Sequence, residues 1–434
     1  MPSSSLLRVL AIGYVWPEPS SSAAGGHMMQ LLEAFLAVGW QVTFASPASS
    51  GEYKADLQAL GIDERAIVLN DSGFDAFVRE LAPDVVLFDR FMMEEQFGWR
   101  VAKHCPQALR VLETCDLHGL REARQRLLKA RLKASPDADD FSELFATGTA
   151  TLYNAMASAD VTLREIAALY RCDLNLMISD AESHLLATLF KVPEALLHWC
   201  PLMLDAQTSA LPGFADRQHF LSIGNFRHEP NWDAVLWLKQ TLWPLIRQQL
   251  PEAQLHVYGA YTPPKATALD NPKQGFRVLN RAPDALQVMA RARVNLAPLR
   301  FGAGIKGKLA DAMLCGTPSV TTPVGAEGMH GALAWPGAIG QSATALANAA
   351  IALYSDPHRW QLAHDAGNYL LAERFGRERH ARALVQRIES LLARLAEHRL
   401  ANFTGAMLQH HQHKSTQYMA QWIEAKNRLQ NAEK

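Results

Sequence analysis

Short apolar runs of strand length alternate with helical segments along this chain. Residues 7–15 and 84–88 are such runs in the first half, and residues 220–226 and 294–299 repeat the pattern in the second. Helical periodicity or a glycine-containing loop follows each run. Continuous apolar runs are typical of parallel strands buried on both faces. The alternation therefore predicts an α/β fold built from βαβ units.

The same alternation occurs twice, and 434 residues are too many for one ordinary hydrophobic core. A segment with prolines, a glycine and little periodicity, residues 201–216, separates the two runs of elements. We therefore predict two Rossmann-like domains that face a central cleft, over residues 1–205 and 206–396. Residues 397–434 are polar and predict a helical or flexible C-terminal extension.

Composition excludes several classes of protein. The net charge of -1 and the pI near 7.0 argue against a bulk nucleic-acid binder. Five scattered cysteines without a CxxC pattern are typical of reduced thiols and favour neither a zinc site nor a disulfide framework. The N-terminal apolar run resembles a strand more than a signal peptide, and no uncharged run is long enough to span a membrane. We therefore expect a cytoplasmic protein.

The strongest local signal is a glycine loop that leads into a helix. Gly302 and Gly304 lack a Cβ, so the backbone there can approach another molecule closely. Lys306 and Lys308 fall in the predicted first turn of the helix, where cations are usually disfavoured by the dipole. Lysines beside free helical amides predict a bound phosphate. The alternative is two solvated surface lysines.

Candidate residues of the first half lie at the carboxyl ends of predicted strands, where ligands bind in open α/β sheets. Gly25 and Gly26 close the loop after the first strand, and His118 follows the strand at 109–113. A relaxed turn without a ligand and a purely structural histidine are the alternatives. Residues 141–170 predict helices in two pieces that project over the cleft.

Three polar features are assigned no function. Asp137 and Asp139 lie in a polar stretch with no preceding strand, so we interpret them as a loop and helix start rather than a metal-diphosphate motif. The histidines His410, His411 and His413 favour a solvated helix face over a metal site. The basic residues at 121–133 favour a solvated face as well, with an anionic membrane or acceptor as the alternative. No metal site is predicted.

Three segments of the second half resemble a known family when their order and spacing are taken together. They read FLSIGNFRHEPNWDAVLWLKQTLWP, RAPDALQVMARARVNLAPLRFGAGIKGKLADAM and GTPSVTTPVGAEGM. Residues 220–329 resemble the donor domain of retaining GT-B glycosyltransferases of the family 4 type. The resemblance is weaker through the GGH and CDLHG stretches of the first half, and it does not cover the tail after about residue 396.

The resemblance implies a nucleotide-diphospho-sugar donor, bound mainly by the second domain. It implies that the glycine loop, Lys306 and Lys308 meet the diphosphate, that Asp311 binds the ribose hydroxyls, and that His118 approaches the transferred sugar. The remaining residues that it places around the donor are Gly25, Gly26, Arg227, Asn280, Arg281, Gly302, Ala303, Gly304 and Glu327.

The sequence departs from the family pattern at two places. Family members commonly carry two glutamates eight residues apart, whereas this chain has Ala303 and Asp311 at those positions. The contact to the hydroxyls of the transferred sugar is therefore unassigned. The loop after residue 224 often carries Arg and a nearby Lys, and here Arg227 is the residue that would supply the charge.

The implied activity is that of a retaining hexosyltransferase that needs no metal and no cofactor, with His118 and Lys306 in catalytic roles. Two alternatives remain: a hydrolase or epimerase of nucleotide sugars on the same fold, and a non-catalytic sugar-nucleotide-binding scaffold in a glycan assembly complex. The acceptor is open among a glycan such as lipopolysaccharide core, a lipid-linked glycan, a protein and a small molecule. Peripheral contact with a membrane is compatible with the basic residues at 121–133.

Overall fold

The computed structural model describes residues 6–205 and 210–432, without the side chains of 411–414 and 431–432. These residues form two parallel sheets flanked by helices. Alternate residues of each strand enter different apolar clusters: Val9 and Ala11 pack on one face of the first sheet, and Leu10 and Ile12 on the other. Other elements cover both faces of these strands, which explains why polar and apolar residues do not alternate in their sequences. The predicted pair of Rossmann-like sheets is confirmed.

The first sheet has seven strands in the order β3-β2-β1-β4-β5-β6-β7. Its strands are β1 Arg8–Ile12, β2 Gln41–Ser46, β3 Asp63–Ala66, β4 Val85–Asp89, β5 Leu109–Glu113, β6 Leu174–Met177 and β7 Leu197–Trp199. Strand β7 pairs with β6 at Asn175↔Leu197 and forms the edge of the sheet. Its three half-buried residues are too few to make an apolar pattern that the sequence would show.

Helices of the first domain connect these strands and pack on both faces of the sheet. They are α1 Ala23–Ala37, α2 Gly73–Leu81, α3 Phe91–His104, α4 His118–Ala134, α5 Ser142–Phe145, α6 Thr149–Ala157, α7 Asp160–Arg171 and α8 Asp180–Leu189. Ser179 caps α8 as predicted, since its hydroxyl accepts a hydrogen bond from the amide of Glu182.

The second sheet has six strands in the order β10-β9-β8-β11-β12-β13. Its strands are β8 Gln218–Ile223, β9 Leu255–Tyr258, β10 Phe276–Val278, β11 Ala292–Ala297, β12 Ser319–Thr321 and β13 Gly337–Ile339. Its helices are α9 Glu229–Trp237, α10 Trp243–Gln249, α11 Pro264–Thr267, α12 Ala285–Arg291, α13 Gly307–Leu314, α14 Pro323–Ala326 and α15 Ala343–Ser355. A π-helical turn, Leu238–Leu242, joins α9 to α10. Helix α9 begins at Glu229, and Pro230 lies in its first turn, where a missing amide proton costs no helical hydrogen bond.

The chain returns to the first domain at its C-terminal end. The last helices are α16 Pro357–Phe375, α17 Arg377–Leu392, α18 Leu395–Ala401 and α19 Phe403–Ala432. Leu384, Ile388 and Leu391 of α17 are fully buried in the same cluster as Val9 of β1. Residues 377–396, which the sequence grouped with the second domain, thus pack against the first sheet. Helix α19 continues onto α3 and α7. His411 and His413 lie outside the described side chains.

The segment between α4 and α6 reaches across to the second domain. Residues 141–170, predicted as helices in two pieces, form three helices, α5, α6 and α7. The amide of Phe141 donates to the carbonyl of Gln341, and the amide of Ala343 donates to the carbonyl of Asp139. The Phe141 ring is buried edge-on against Trp237 of α9, with centroids 5.2 Å apart. We call residues 139–141 the strap. Within the described residues, no helix combines the length and the apolar character that crossing a bilayer requires.

Candidate active site between the two sheets

The first wall of the cleft is the N-terminus of α1. Ser22 caps this helix by accepting a hydrogen bond from the amide of Gly25 at 3.1 Å. The helix therefore begins at Ala23, and Gly25 and Gly26 lie in its first turn rather than in the loop where the sequence placed them. A Cβ on Gly25 would lie 2.6 Å from the carbonyl oxygen of Glu18, whereas the space beside Gly26 is open.

The second wall is the N-terminus of α13, reached through the glycine loop. Gly304 has φ +63°, in the left-handed region. Lys306 occupies the cap position and α13 begins at Gly307. A Cβ on Gly307 would lie 2.5 Å from that of Ala23, so the N-termini of α1 and α13 meet face to face. Two positive helix ends that converge make an anion-binding site.

Both lysines of the loop point into this region. The Nζ of Lys306 donates to the carbonyl of Gly304 at 2.6 Å, and the Nζ of Lys308 donates to Oδ1 of Asn231 at 2.7 Å. Burial lowers the pKa of Lys306, although the neighbouring Glu327 opposes the shift. Burial alone lowers the pKa of Lys308 to about 7. Neither ammonium group is neutralised by a direct carboxylate contact among the described residues, which leaves both available to an anion.

Asp311 lies one turn into α13, on the helix that carries these lysines. It is half-buried, and burial raises the pKa of its carboxyl group to about 7. Hydrogen bonds donated by a ligand would stabilise the ionised form of such a buried carboxyl group.

The first domain contributes acidic groups that approach the glycine loop. Oε1 of Glu182 accepts a hydrogen bond from the amide of Gly304 at 2.6 Å. A Cβ on Gly304 would lie 2.8 Å from the Cβ of Asp116. The carboxylate of Asp116 accepts a hydrogen bond from Arg121. Burial opposes ionisation of Asp116, but Arg121 and His118 hold the pKa of this carboxyl group at about 2. The loop is therefore closed tightly onto the first domain.

His118 is the first residue of α4, at the carboxyl edge of the first sheet. Its amide donates to Oε1 of Glu165 at 2.9 Å, and its Nδ1 lies 3.4 Å from the same oxygen and 3.8 Å from Asp116. The ring packs edge-on against Phe91. Side chains on three elements thus fix the orientation of the imidazole at the mouth of the cleft.

An ion pair crosses the cleft between α4 and the loop after α14. Arg124 donates two hydrogen bonds of 2.7 Å to the carboxylate of Glu327, and one of 2.9 Å to the carbonyl of Gly302. Burial opposes ionisation of Glu327, but Arg124 outweighs it and lowers the pKa of this group. Arg124 therefore fixes both the glycine loop and Glu327.

A cluster of aromatic and cationic side chains lies where the loop before α1 meets the second domain. The guanidinium group of Arg227 lies 3.6 Å above the ring of Tyr261, and that of Arg281 lies 4.2 Å above the ring of Tyr53. Tyr261 also donates to Glu18 at 2.8 Å. Asn280, beside Arg281, is exposed with φ +56°. The ring centroids of the two tyrosines are 5.7 Å apart, so Arg227 lies near Arg281, which the resemblance also places around the donor.

Sequence reasoning missed four charged residues that line the cleft, namely Asp116, Arg121, Arg124 and Glu182. Arg121 and Arg124 belong to the basic residues at 121–133, which were interpreted as a solvated face, and Asp116 was given no role. The partner of Arg124, Glu327, is distant in sequence and could not be anticipated. A signal for Glu182 existed in the S-x-x-E pattern, but that pattern predicts only a helix start. Among the described side chains, no group of three or more His, Cys, Asp or Glu is arranged to hold a metal ion.

A cavity of about 580 Å³ lies beside the Arg124–Glu327 pair, under helices α5 and α6. Its apolar walls include Leu127, Phe145 and Val324. Its charged groups are paired: Arg124 with Glu327, Arg300 with Asp233, and Asp180 with Arg374.

Comparison with solved structures gives the same architecture. A structure of HepE from Anabaena in complex with UDP and glucose superposes with a TM-score of 0.63 at 14% identity, covering 89% of this chain and 100% of that one. The fold is GT-B. Sucrose-phosphate synthase from Thermosynechococcus elongatus gives a TM-score of 0.62 at 16% identity, covering 89% of this chain and 99% of that one.

A third GT-B structure, WaaG, a glycosyltransferase involved in lipopolysaccharide biosynthesis, gives a TM-score of 0.57 at 13% identity and covers 86% of this chain and 98% of that one. Residues 217–356 match the family model described as Glycosyl transferases group 1. This stretch contains the glycine loop, both lysines and Asp311. A search of curated proteins by sequence found no significant match.

Proposed function

We propose that this chain transfers a glycosyl group from a nucleotide-diphospho-sugar to an acceptor hydroxyl, with retention of the anomeric configuration. The observation that carries the proposal is the meeting of two helix N-termini, α1 and α13, beside Lys306 and Lys308. The group 1 glycosyltransferase match over residues 217–356 supports it.

The diphosphate of the donor would lie between the two helix ends. Breaking the bond between the sugar C1 and the phosphate oxygen places negative charge on the leaving diphosphate. Lys306, Lys308 and the amides of α13 are fixed in place to stabilise that charge, so little reorganisation is needed during the reaction. Each hydrogen bond to a charged group contributes about 1.5–3 kcal/mol.

The rest of the donor would extend along the second domain. Asp311 would accept hydrogen bonds from the ribose hydroxyls, and the surface around Asn280 and Arg281 would hold the base. HepE is seen with UDP and with UDP-glucose, which makes uracil the first base to test. His118 would approach the transferred sugar from the first domain.

Retention would follow front-face transfer, in which the acceptor attacks from the side that the diphosphate leaves. The acceptor hydroxyl would give its proton to the departing phosphate oxygen while the new C1–O bond forms. No side-chain nucleophile is required in this scheme. An assay that resolves the anomers of the product tests it, and an inverted product would contradict it.

The acceptor would enter through the cavity beside Arg124 and Glu327. Since the charged groups there are paired and the remaining wall is largely apolar, the cavity suits a neutral acceptor with an apolar portion. A glycan carried on a lipid has this character, and a glycosylated protein or small molecule would need only part of the space.

The donor site is tested by a thermal-shift and calorimetric screen of UDP, GDP, ADP, CMP and dTDP with their common sugars. We expect one nucleotide diphosphate and its sugar to stabilise the wild-type protein. Lys306→Ala should weaken that binding by roughly 10- to 100-fold, since one charge-assisted hydrogen bond is lost. Lys273→Ala, which removes an exposed lysine of the same domain, is the matched control.

The outcomes separate the candidate functions. Binding in the wild type and in Lys273→Ala, with loss in Lys306→Ala, supports the donor site. Equal binding by both lysine variants would contradict it. Donor binding without turnover on any acceptor would favour a scaffold, and free sugar released at a rate that acceptors do not change would favour a hydrolase.

A further inference from the structure

Glu182 is a buried carboxyl group that points out of its own helix and into the cleft. It is the third residue of α8 and is 1% exposed. A glutamate at this position of a capped helix commonly turns back to the amide of the capping residue. Here its Oε1 instead accepts from the amide of Gly304 on the second domain at 2.6 Å, and from that of Leu117 at 3.4 Å.

The second carboxyl oxygen of Glu182, Oε2, is the one that faces the cleft without a bond to the described part of the chain. Oε2 is buried, and no hydrogen-bond partner reaches it among the described residues. A buried polar atom without a partner is costly and uncommon in native proteins. Its position beside the glycine loop, where the donor would bind, is consistent with a partner supplied by the ligand.

The groups around Glu182 disfavour its ionised form. Asp116 on the loop after β5 and Glu327 on the loop after α14 are ionised and already held by Arg121 and Arg124. The nearby cation, Lys306, directs its Nζ to the carbonyl of Gly304. Burial and the charge of Asp116 therefore raise the pKa of Glu182 far above its usual range. On its own helix, Asp180 is paired with Arg374.

The position of Ala303 gives a second reason to expect that the first domain supplies a carboxyl group beside the glycine loop. Its side chain is buried in the apolar cluster of the first domain, so an acidic side chain at this position would be placed among apolar groups. Glu182 meets the adjacent residue, Gly304, from the opposite domain. The chain therefore presents one carboxyl group at this part of the loop even though position 303 has none.

We propose that Glu182 is a positioning residue for the donor: Oε1 fixes the amide of Gly304, and a protonated Oε2 donates a hydrogen bond to an oxygen of the bound sugar nucleotide. This inference rests on the proposed donor site. It also names the group that meets the donor where position 303 lacks an acid. The ligand oxygen that accepts this hydrogen bond belongs either to a sugar hydroxyl or to the diphosphate. Comparison of a nucleotide diphosphate with its sugar nucleotide distinguishes the two.

Protonation is tested first, without a ligand, by thermal unfolding of the wild type and Glu182→Gln across pH. The pKa of Glu182 in the folded protein lies above its unfolded value of about 4.3. The stability that the neutral acid contributes is therefore complete below the unfolded pKa, and this stability is lost as pH rises through neutrality towards the folded pKa. The melting temperature of Glu182→Gln should therefore rise relative to wild type over this range, since the amide cannot ionise.

Asp173→Asn is the matched control, because Asp173 is an equally buried carboxyl group outside the cleft. Burial opposes its ionisation, but Arg399 and Arg110 outweigh burial and lower its pKa. Its stabilising ion pairs exist above the unfolded pKa and are lost as pH falls, so Asp173→Asn should lose stability relative to wild type as pH rises. Parallel behaviour of the two variants would overturn the protonated state of Glu182.

Positioning is then tested by calorimetry with UDP and UDP-glucose, or with the pair that the nucleotide screen selects. Glu182→Gln keeps an acceptor and a donor and should bind as wild type does, whereas Glu182→Ala should bind UDP-glucose roughly tenfold more weakly. If UDP is weakened equally, the oxygen belongs to the diphosphate. If only UDP-glucose is weakened, it belongs to the sugar.

The failures are distinguishable. Loss of binding in Lys306→Ala with wild-type binding in Glu182→Ala would overturn the role of Glu182 and leave the donor site standing. Loss in both Glu182→Gln and Glu182→Ala would show that a negative charge is needed and overturn the neutral acid. If the wild type binds no nucleotide sugar, the proposed function fails and the role of Glu182 fails with it.

Discussion

Individual residues of the cleft have chemical properties set by burial rather than by residue type. Lys308 is the clearest case, because burial lowers its pKa to about 7, and among the described residues its Nζ donates to the amide oxygen of Asn231 rather than to a carboxylate. Its charge is therefore incomplete near neutral pH in the free protein. An anion that binds beside it restores the charge.

This property predicts pH-dependent donor binding. Because the free protein loses the Lys308 proton as pH rises through about 7, binding of a nucleotide diphosphate above that pH should require proton uptake and should weaken progressively. Calorimetry in buffers of different ionisation enthalpy measures the uptake. Lys308→Met should bind more weakly at low pH and remove this component of the uptake. Uptake that is unchanged in Lys308→Met would contradict the assignment.

At the scale of elements, the strap joins an insertion of the first domain to the second sheet. Phe141 is fully buried between Trp237 and Arg300, whose guanidinium group lies 5.2 Å from the ring. Two backbone hydrogen bonds to residues 341 and 343 accompany it. The strap therefore links the two domains on the side of the cleft that holds the 580 Å³ cavity.

Removing this ring should destabilise the protein and release the strap. Phe141→Ala should lower the free energy of unfolding by about 3–5 kcal/mol, the usual cost for a buried phenylalanine. Hydrogen exchange should accelerate at residues 139–141 and 341–343 before it changes elsewhere. Leu163→Ala, which truncates an apolar side chain that is 62% exposed, should change little. Equal exchange at the strap in the two variants would argue against the link.

At the scale of the molecule, the polypeptide is not two independent segments in tandem. The core of the first domain includes Leu384, Ile388 and Leu391 of α17, together with strands β1 and β2, which lie more than three hundred residues earlier. Arg377, at the start of α17, also bonds to Glu33 of α1 and Asp205. The C-terminal helices are therefore a structural part of the first domain.

Production of the first domain with and without the C-terminal helices should show that its folding depends on them. Residues 1–205 alone should aggregate or remain partly unfolded, because the sheet face that α17 covers would be exposed. Joining residues 377–434 to them through a flexible linker should give a folded monomer. Circular dichroism and size-exclusion chromatography measure both. A cooperative, monomeric 1–205 would contradict the prediction that α17 completes this core.

Sequence by itself determined the fold class and the glycine loop that leads into α13. Apolar strand runs, glycines at 302 and 304, and lysines at 306 and 308 are local patterns, and local backbone preferences suffice to place them at the end of a strand and the start of a helix. The roles of the individual site residues in binding remain predictions.

Tertiary structure alone decided what faces that loop. Glu182, Asp116 and Arg124 reach it from elements that lie more than a hundred residues away in sequence. The return of α17 to the first sheet was equally invisible, because an amphipathic helix shows only that it covers an apolar surface. Burial and pairing depend on which surfaces meet, and that information is not local. The same burial and pairing set the pKa values of the lysines and carboxyl groups in the cleft.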